Sequence, residues 1–114
     1  MVVDERCEFD LCDYENGTVD ILRGIPKAKG IEIAKRTLSA EIILVDEIGS
    51  AEECEALLSV GAGGVPIIAT AHSGDFGELC RSETIRPLID RGYFSSYVKL
   101  YRSGKAFLKE VREL

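Results

Sequence analysis

The chain has 114 residues, 46% of them apolar and 30% charged, which is the composition of one ordinary globular domain with a modest core. A net charge of −6 argues against nonspecific nucleic-acid binding, which needs clustered Lys and Arg to neutralise phosphates. No apolar run is long enough to cross a bilayer, and no cationic-then-apolar signal opens the chain, so membrane insertion is not expected and a cytoplasmic setting is.

Val2-Val3-Asp4-Glu5 reads as the end of a short buried strand finishing in two acids. A long connection follows, with turns at Glu15-Asn16-Gly17 and around Gly24-Ile25-Pro26, and a short extended piece through Val19, Ile21 and Leu22. From Lys27 to Leu38 the apolar residues Ala28, Ile31, Ile33, Ala34 and Leu38 fall near helical spacing. Ile42-Ile43-Leu44-Val45 then reads as a strand buried on both faces, as inside a parallel sheet. It ends in Asp46-Glu47, and the chain is expected to turn through Gly49 into a helix.

That helix carries a capping box, Ser50-x-x-Glu53, and an apolar stripe of Ala51, Cys54, Leu57, Leu58 and Ala62. Gly61, Gly63 and Gly64 are expected to end it through left-handed backbone. Val65–Thr70 reads as a second fully buried strand, leading into Ala71-His72-Ser73-Gly74. Strand, helix and strand with short joins imply a parallel crossover. Asp75 is placed to cap a short helix through Cys80, and Thr84–Arg91 forms another that tolerates Pro87 in its first turn. The tail reads as a hairpin, Tyr97–Tyr101 and Lys105–Val111 around Ser103-Gly104. Of the four cysteines, Cys7 and Cys12 lie five apart, not a usual zinc spacing, so free thiols are expected.

Parallel strands would bring Asp4 and Glu5, Asp46 and Glu47, and Thr70 and His72 to one rim of the sheet, where open α/β sheets bind ligands. Paired acids ending a buried strand match the Walker B arrangement of P-loop hydrolases, one acid holding the magnesium water shell and the next orienting the attacking water. The competing reading is a set of solvated strand ends and an exposed loop histidine. A metal site on Asp46, Glu47 and His72 has no ligand spacing to recommend it.

Val3-Asp4-Glu5-Arg6, Gly24-x-Pro26-Lys27-Ala28-x-Gly30, Val45-Asp46-Glu47-Ile48-Gly49 and Ile68-Ala69-Thr70-Ala71-His72 resemble, in order and spacing, the bacterial stage III sporulation protein AA family. That family is similar to the ATPases of type II and type IV secretion. The resemblance spans Val2 to about Val111. It implies an α/β fold, a partial RecA-like P-loop NTPase of three layers with a mostly parallel sheet and a C-terminal β-hairpin, residues 1–114 being one domain at the carboxyl-terminal end of an ATPase core.

By the same resemblance Asp46 is the Walker B acid on magnesium through water, and Glu47 positions the water. Asp4 or Glu5 is the acidic box, His72 the histidine box and Thr70 a cofactor-binding residue. Arg6 or Arg36 would face a neighbouring subunit, in a homo-oligomer or beside a chain supplying the missing strand and phosphate loop. The implied setting is the sporulation secretion apparatus at the membrane, and the implied cofactors are ATP and magnesium, in the complete domain.

The departure is the phosphate loop. No G-x-x-x-x-G-K-[ST] occurs, and the Gly104-Lys105 pair is a hairpin turn. In the family that loop would precede Val2. Without its amides and lysine, carboxylates alone repel a triphosphate, so this chain is expected to hydrolyse ATP only when the loop is supplied. The alternative is a catalytically silent assembly module of the same family. Loss of the loop's strand would also leave one edge of the Ile67–Thr70 strand unpaired, to be closed by the Tyr97–Tyr101 hairpin or by a second chain.

Overall fold

The computed structural model describes residues 1–9, 19–36 and 40–114. The turn expected at Glu15-Asn16-Gly17, Cys12, and the end of the first helix at Leu38 lie outside them. The chain divides into two compact units, Met1–His72 and Ser73–Leu114.

The first unit is α/β. In chain order it contains β1 (Val2–Asp4), β2 (Ile21–Arg23), α1 (Lys27–Arg36), β3 (Ile43–Val45), α2 (Ala51–Ala62) and β4 (Ile67–Ala69). The strands form one sheet in the order β2-β1-β3-β4, and every pairing is parallel. Val3 sits beside Leu22 and Val45, and Leu44 beside Ile68. Val2, Val3, Ile43 and Val45 are buried, with Ile31 and Ala34 of α1 and Cys54, Leu57 and Val60 of α2. The buried strand expected over Ile42–Val45 is borne out from Ile43 onward, whereas Ile42 precedes β3 and is 47% exposed. With the antiparallel hairpin of the second unit, the architecture is that of a partial RecA-like fold.

Gly30 sets how closely α1 approaches the sheet. A Cβ built there would lie 2.6 Å from Val3 Cγ1. Helix α2 carries the expected capping box: the Ser50 hydroxyl accepts from the Glu53 amide, and the Glu53 carboxylate accepts from the Ser50 amide. Its buried stripe is Cys54, Leu57 and Val60, whereas Ala51 and Ala62 are exposed. The sequence reading missed Val60, the position three beyond Leu57. Of the three glycines expected to end this helix, Gly64 alone is left-handed (φ 80°), and Gly63 is right-handed.

One expectation about β4 needs correcting: the strand is not fully buried, because it lies at the sheet edge and Ile68 is 53% exposed. Of the two expected ways to close that edge, the strand pairing does not include the hairpin, whose strands pair with each other in their own sheet.

The second unit holds α3 (Phe76–Arg81), α4 (Arg86–Asp90), β5 (Ser96–Ser103) and β6 (Ala106–Glu113). Asp75 caps α3 by accepting from the Glu78 amide at 2.7 Å. Pro87 sits in the first turn of α4, where no helical amide is lost. Ile85 and Leu88 are buried. The hairpin turns on Gly104-Lys105 between the paired Ser103 and Ala106, with Gly104 at φ 62°. Phe76 packs on Tyr97, ring centroids 5.0 Å apart, and Arg112 lies over the Phe76 ring.

Candidate functional site

Because the first unit's strands all run the same way, their carboxyl ends share one rim. Asp46 and Glu47 follow β3 directly, and Thr70 follows β4. The Thr70 amide continues the ladder by donating to Val45 O at 3.1 Å, which fixes the hydroxyl beside the β3 end. That hydroxyl donates to Asp46 Oδ1 and accepts from the Glu47 amide at 2.7 Å. One small side chain therefore ties both acids to the neighbouring strand. Asp46 Oδ2 has no hydrogen-bond partner among the described residues.

Glu47, not Gly49, makes the turn out of β3. Its φ of 52° is a left-handed conformation that costs a side-chain-bearing residue about 1–2 kcal/mol. Such a conformation persists only where the surroundings hold it. Here the peptide is gripped from two sides, by Thr70 at its amide and by Lys27 Nζ at its carbonyl. The carboxylate meets two cationic or potentially cationic groups. Arg6 Nη1 is 2.7 Å from Oε2, and His72 Nε2 is 3.5 Å from Oε1. The His72 side chain is 90% exposed, so it is a loop histidine and a neighbour of Glu47 at once.

Lys27 was not singled out from sequence as a site residue. A cation at the start of a helix opposes the helix dipole, a sign that it serves something else. Its ammonium, with a side chain only 11% exposed, lies between Glu47 O and Glu53 Oε1, 3.5 Å from the latter. Burial pushes the Glu53 carboxyl up, but the amides of Gly49 and Ser50 and the Lys27 charge outweigh it and hold it below its ordinary value of 4.5. The stabilisation this brings is full above pH 4.5 and is lost as pH falls through the lowered value. Glu53→Gln keeps an acceptor but not the charge. It is expected to lose about 1 kcal/mol near neutrality and to flatten the acid limb of stability against pH, read by urea melts across pH 3 to 7.

The rim does not engage Asp4 and Glu5 in the same way. Asp4 is 2% exposed, and its oxygens accept from the Glu8 and Phe9 amides at 3.0 and 3.2 Å, with Arg23 Nε 3.9 Å away. It is neither a solvated strand end nor a free ligand group. Glu5 accepts from the Lys27 amide at 3.1 Å and so offsets the lysine at the start of α1. Arg6 is paired within the chain, and Arg36 is exposed in the last turn of α1. No group of three or more His, Cys, Asp or Glu among the described residues is arranged to hold a metal by itself. The described cysteines Cys7, Cys54 and Cys80 are free thiols, and burial pushes the Cys54 thiol up. No helix among the described residues is long and apolar enough to cross a membrane.

Stage III sporulation protein AA of Bacillus subtilis (strain 168) is 33% identical over 108 residues, which is 90% of this chain and 35% of the relative. The uncharacterized protein ycf45 of Cyanidium caldarium is 39% identical over 49 residues, 43% of this chain and 15% of the relative. The chain thus spans about a third of the length of the bacterial relative. No solved structure matches it. The family described as "Sporulation stage III, protein AA" matches residues 1–111, nearly the whole chain and every residue of the rim. This chain therefore belongs to the stage III sporulation protein AA family.

Proposed function

We propose that the rim is the magnesium- and water-facing side of an ATP-hydrolysing site of the secretion-ATPase type, active only when a phosphate-binding loop is supplied from outside these 114 residues. The observation that carries this is Glu47. A carboxylate is held in costly left-handed backbone by Thr70 and Lys27, next to a second carboxylate locked by the same threonine. Strain maintained at an exposed strand end is characteristic of sites under functional constraint.

The donor set fits part of the cofactor. Asp46 offers a hard oxygen suited to the water shell of magnesium, which shares its coordination with phosphates and needs no all-protein cage. Among the described residues nothing on the rim substitutes for the amides and lysine that cradle a polyphosphate. Magnesium, when bound, would neutralise phosphate charge. Glu47 orients water through its carboxylate oxygens and Thr70 keeps both acids in register. His72, beside Glu47, would sense the terminal phosphate, and Arg6 would hold Glu47 in the absence of substrate. Glu5 and Asp4 support this arrangement from the scaffold. The sporulation family suggests a role at a membrane secretion apparatus, in a homo-oligomer or with a chain completing the β4 edge.

The test is ATP turnover by this chain with the family's phosphate-loop segment fused ahead of Met1, against the same protein carrying Glu47→Gln. Turnover is expected to fall about 100-fold or more in the variant. Equal turnover would remove Glu47 from the mechanism. No turnover and no calorimetric binding of Mg-ATP by the fused protein would leave the silent assembly module instead.

A further inference from the structure

The hairpin carries more apolar surface and more open backbone than its unit uses. Every residue of β6 is exposed, and Val98, Leu100, Phe107 and Val111 share one face at 51%, 77%, 82% and 60% exposure. A two-stranded hairpin is marginal by itself, and a long uncovered edge is a template for another strand. The partner is written in the charges of β6.

The Leu114 amide donates to Ser95 O at 2.9 Å, which fixes the alternation of the ladder. Leu108, Glu110, Arg112 and Leu114 aim their backbone groups at β5, and Phe107, Lys109, Val111 and Glu113 aim theirs outward. A second copy can pair antiparallel with this outward edge about a two-fold axis only if some residue lies opposite its own copy. Axes at Lys109, Glu110, Arg112 or Glu113 set like charges face to face, and an axis at Leu108 makes no charge pair.

An axis at Val111 matches the edge from Leu108 to Leu114. Lys109 then faces the partner's Glu113, Glu110 faces the partner's Arg112, and Leu108 faces the partner's Leu114. On one face, Val98 and Val111 continue into the partner's Val111 and the partner's Val98 as a single apolar row. On the other, Lys99, Glu110 and the partner's Arg112 alternate in sign. The outer edge of β5 offers no such match, since its charges are Lys99 and Arg102 with no acid.

We infer that two copies of this chain join through β6, antiparallel about Val111, making a four-stranded sheet from two hairpins. Charges usually protect an edge by repelling any incoming strand. Here their alternation repels the registers centred on Lys109, Glu110, Arg112 and Glu113 and rewards only this one with attractive pairs. The edge is short, so the dimer is weak and concentration-dependent.

Charge reversal tests it without disturbing the hairpin, because Lys109 lies across from Leu100 and Glu113 across from Ser96, neither of them charged. Sedimentation of the full chain is measured for wild type, Lys109→Glu, Glu113→Lys and an equimolar mixture of the two variants. The wild type is expected to dimerise at high micromolar concentration. Each variant alone should bind itself at least about tenfold more weakly, since two attractive pairs per dimer become repulsive. The mixture should regain the wild-type dimer as a one-to-one pair, its two negative positions facing two positive ones. A monomeric wild type, variants that self-associate as the wild type does, or a mixture that fails to recover would each overturn the pairing.

Discussion

Gly30→Ala is expected to destabilise the first unit by about 1–3 kcal/mol, although alanine is the better helix former by about 1 kcal/mol. The two effects oppose each other, and geometry decides between them. The new methyl would lie 2.6 Å from Val3 Cγ1, well inside contact distance, with Ile25 Cδ1 3.5 Å away on another side. Val3 is fully buried in the strand between β2 and β3, and its branched side chain has little rotamer freedom to yield. Either α1 moves off the sheet or the valine leaves its rotamer. Movement of α1 would also carry Lys27 away from Glu47, so the cost reaches the rim. Urea melts of Gly30→Ala, Val3→Ala and the double variant give the coupling directly. The double variant should be more stable than the sum of the single losses predicts, by about 1 kcal/mol or more. A Gly30→Ala protein as stable as the parent would show that the glycine is not there for close packing.

The elements that sequence made legible are those with a strong local pattern. The β-branched run before Asp46, the capping box at Ser50, the Asp75 cap and the Gly104 turn each state their structure within a few residues. Parallel strands followed from strand, helix and strand in close succession, and with them the shared rim of Asp46, Glu47, Thr70 and His72. What sequence did not disclose depends on contacts between distant segments. Val3 determines why Gly30 is glycine. Lys27 reads as one more cation on a helix until the fold brings its ammonium to Glu47 and Glu53. The turn into the helix is expected at Gly49, yet tertiary hydrogen bonds place left-handed backbone at Glu47. Asp4 looked like a twin of Asp46, each ending a buried strand. Their difference lies in the loops: one folds back to cover its acid with amides, and the other leaves a carboxylate oxygen without a partner among the described residues.

That difference makes a second strong prediction. Asp4→Ala is expected to cost about 2–4 kcal/mol, among the largest single losses available in this chain. Removing the carboxylate strands the Glu8 and Phe9 amides and takes from Arg23 its neighbouring acid. Asp4→Asn keeps the shape and one good acceptor, so it should lose about half as much. The same pair of variants separates a brace from a ligand group. If Asp4 serves the loop alone, Asp4→Asn in the phosphate-loop fusion should retain turnover close to that of the parent at temperatures where both remain folded. If Asp4 instead takes part in cofactor binding, turnover should fall tenfold or more at saturating stability. Asp46→Asn supplies the contrast, because it leaves the Thr70 hydroxyl an acceptor while removing the charge that the proposed magnesium shell would require. It should depress turnover with little effect on the urea midpoint. Equal responses at the two positions would mean that burial is a poor guide to which strand-end acid serves turnover.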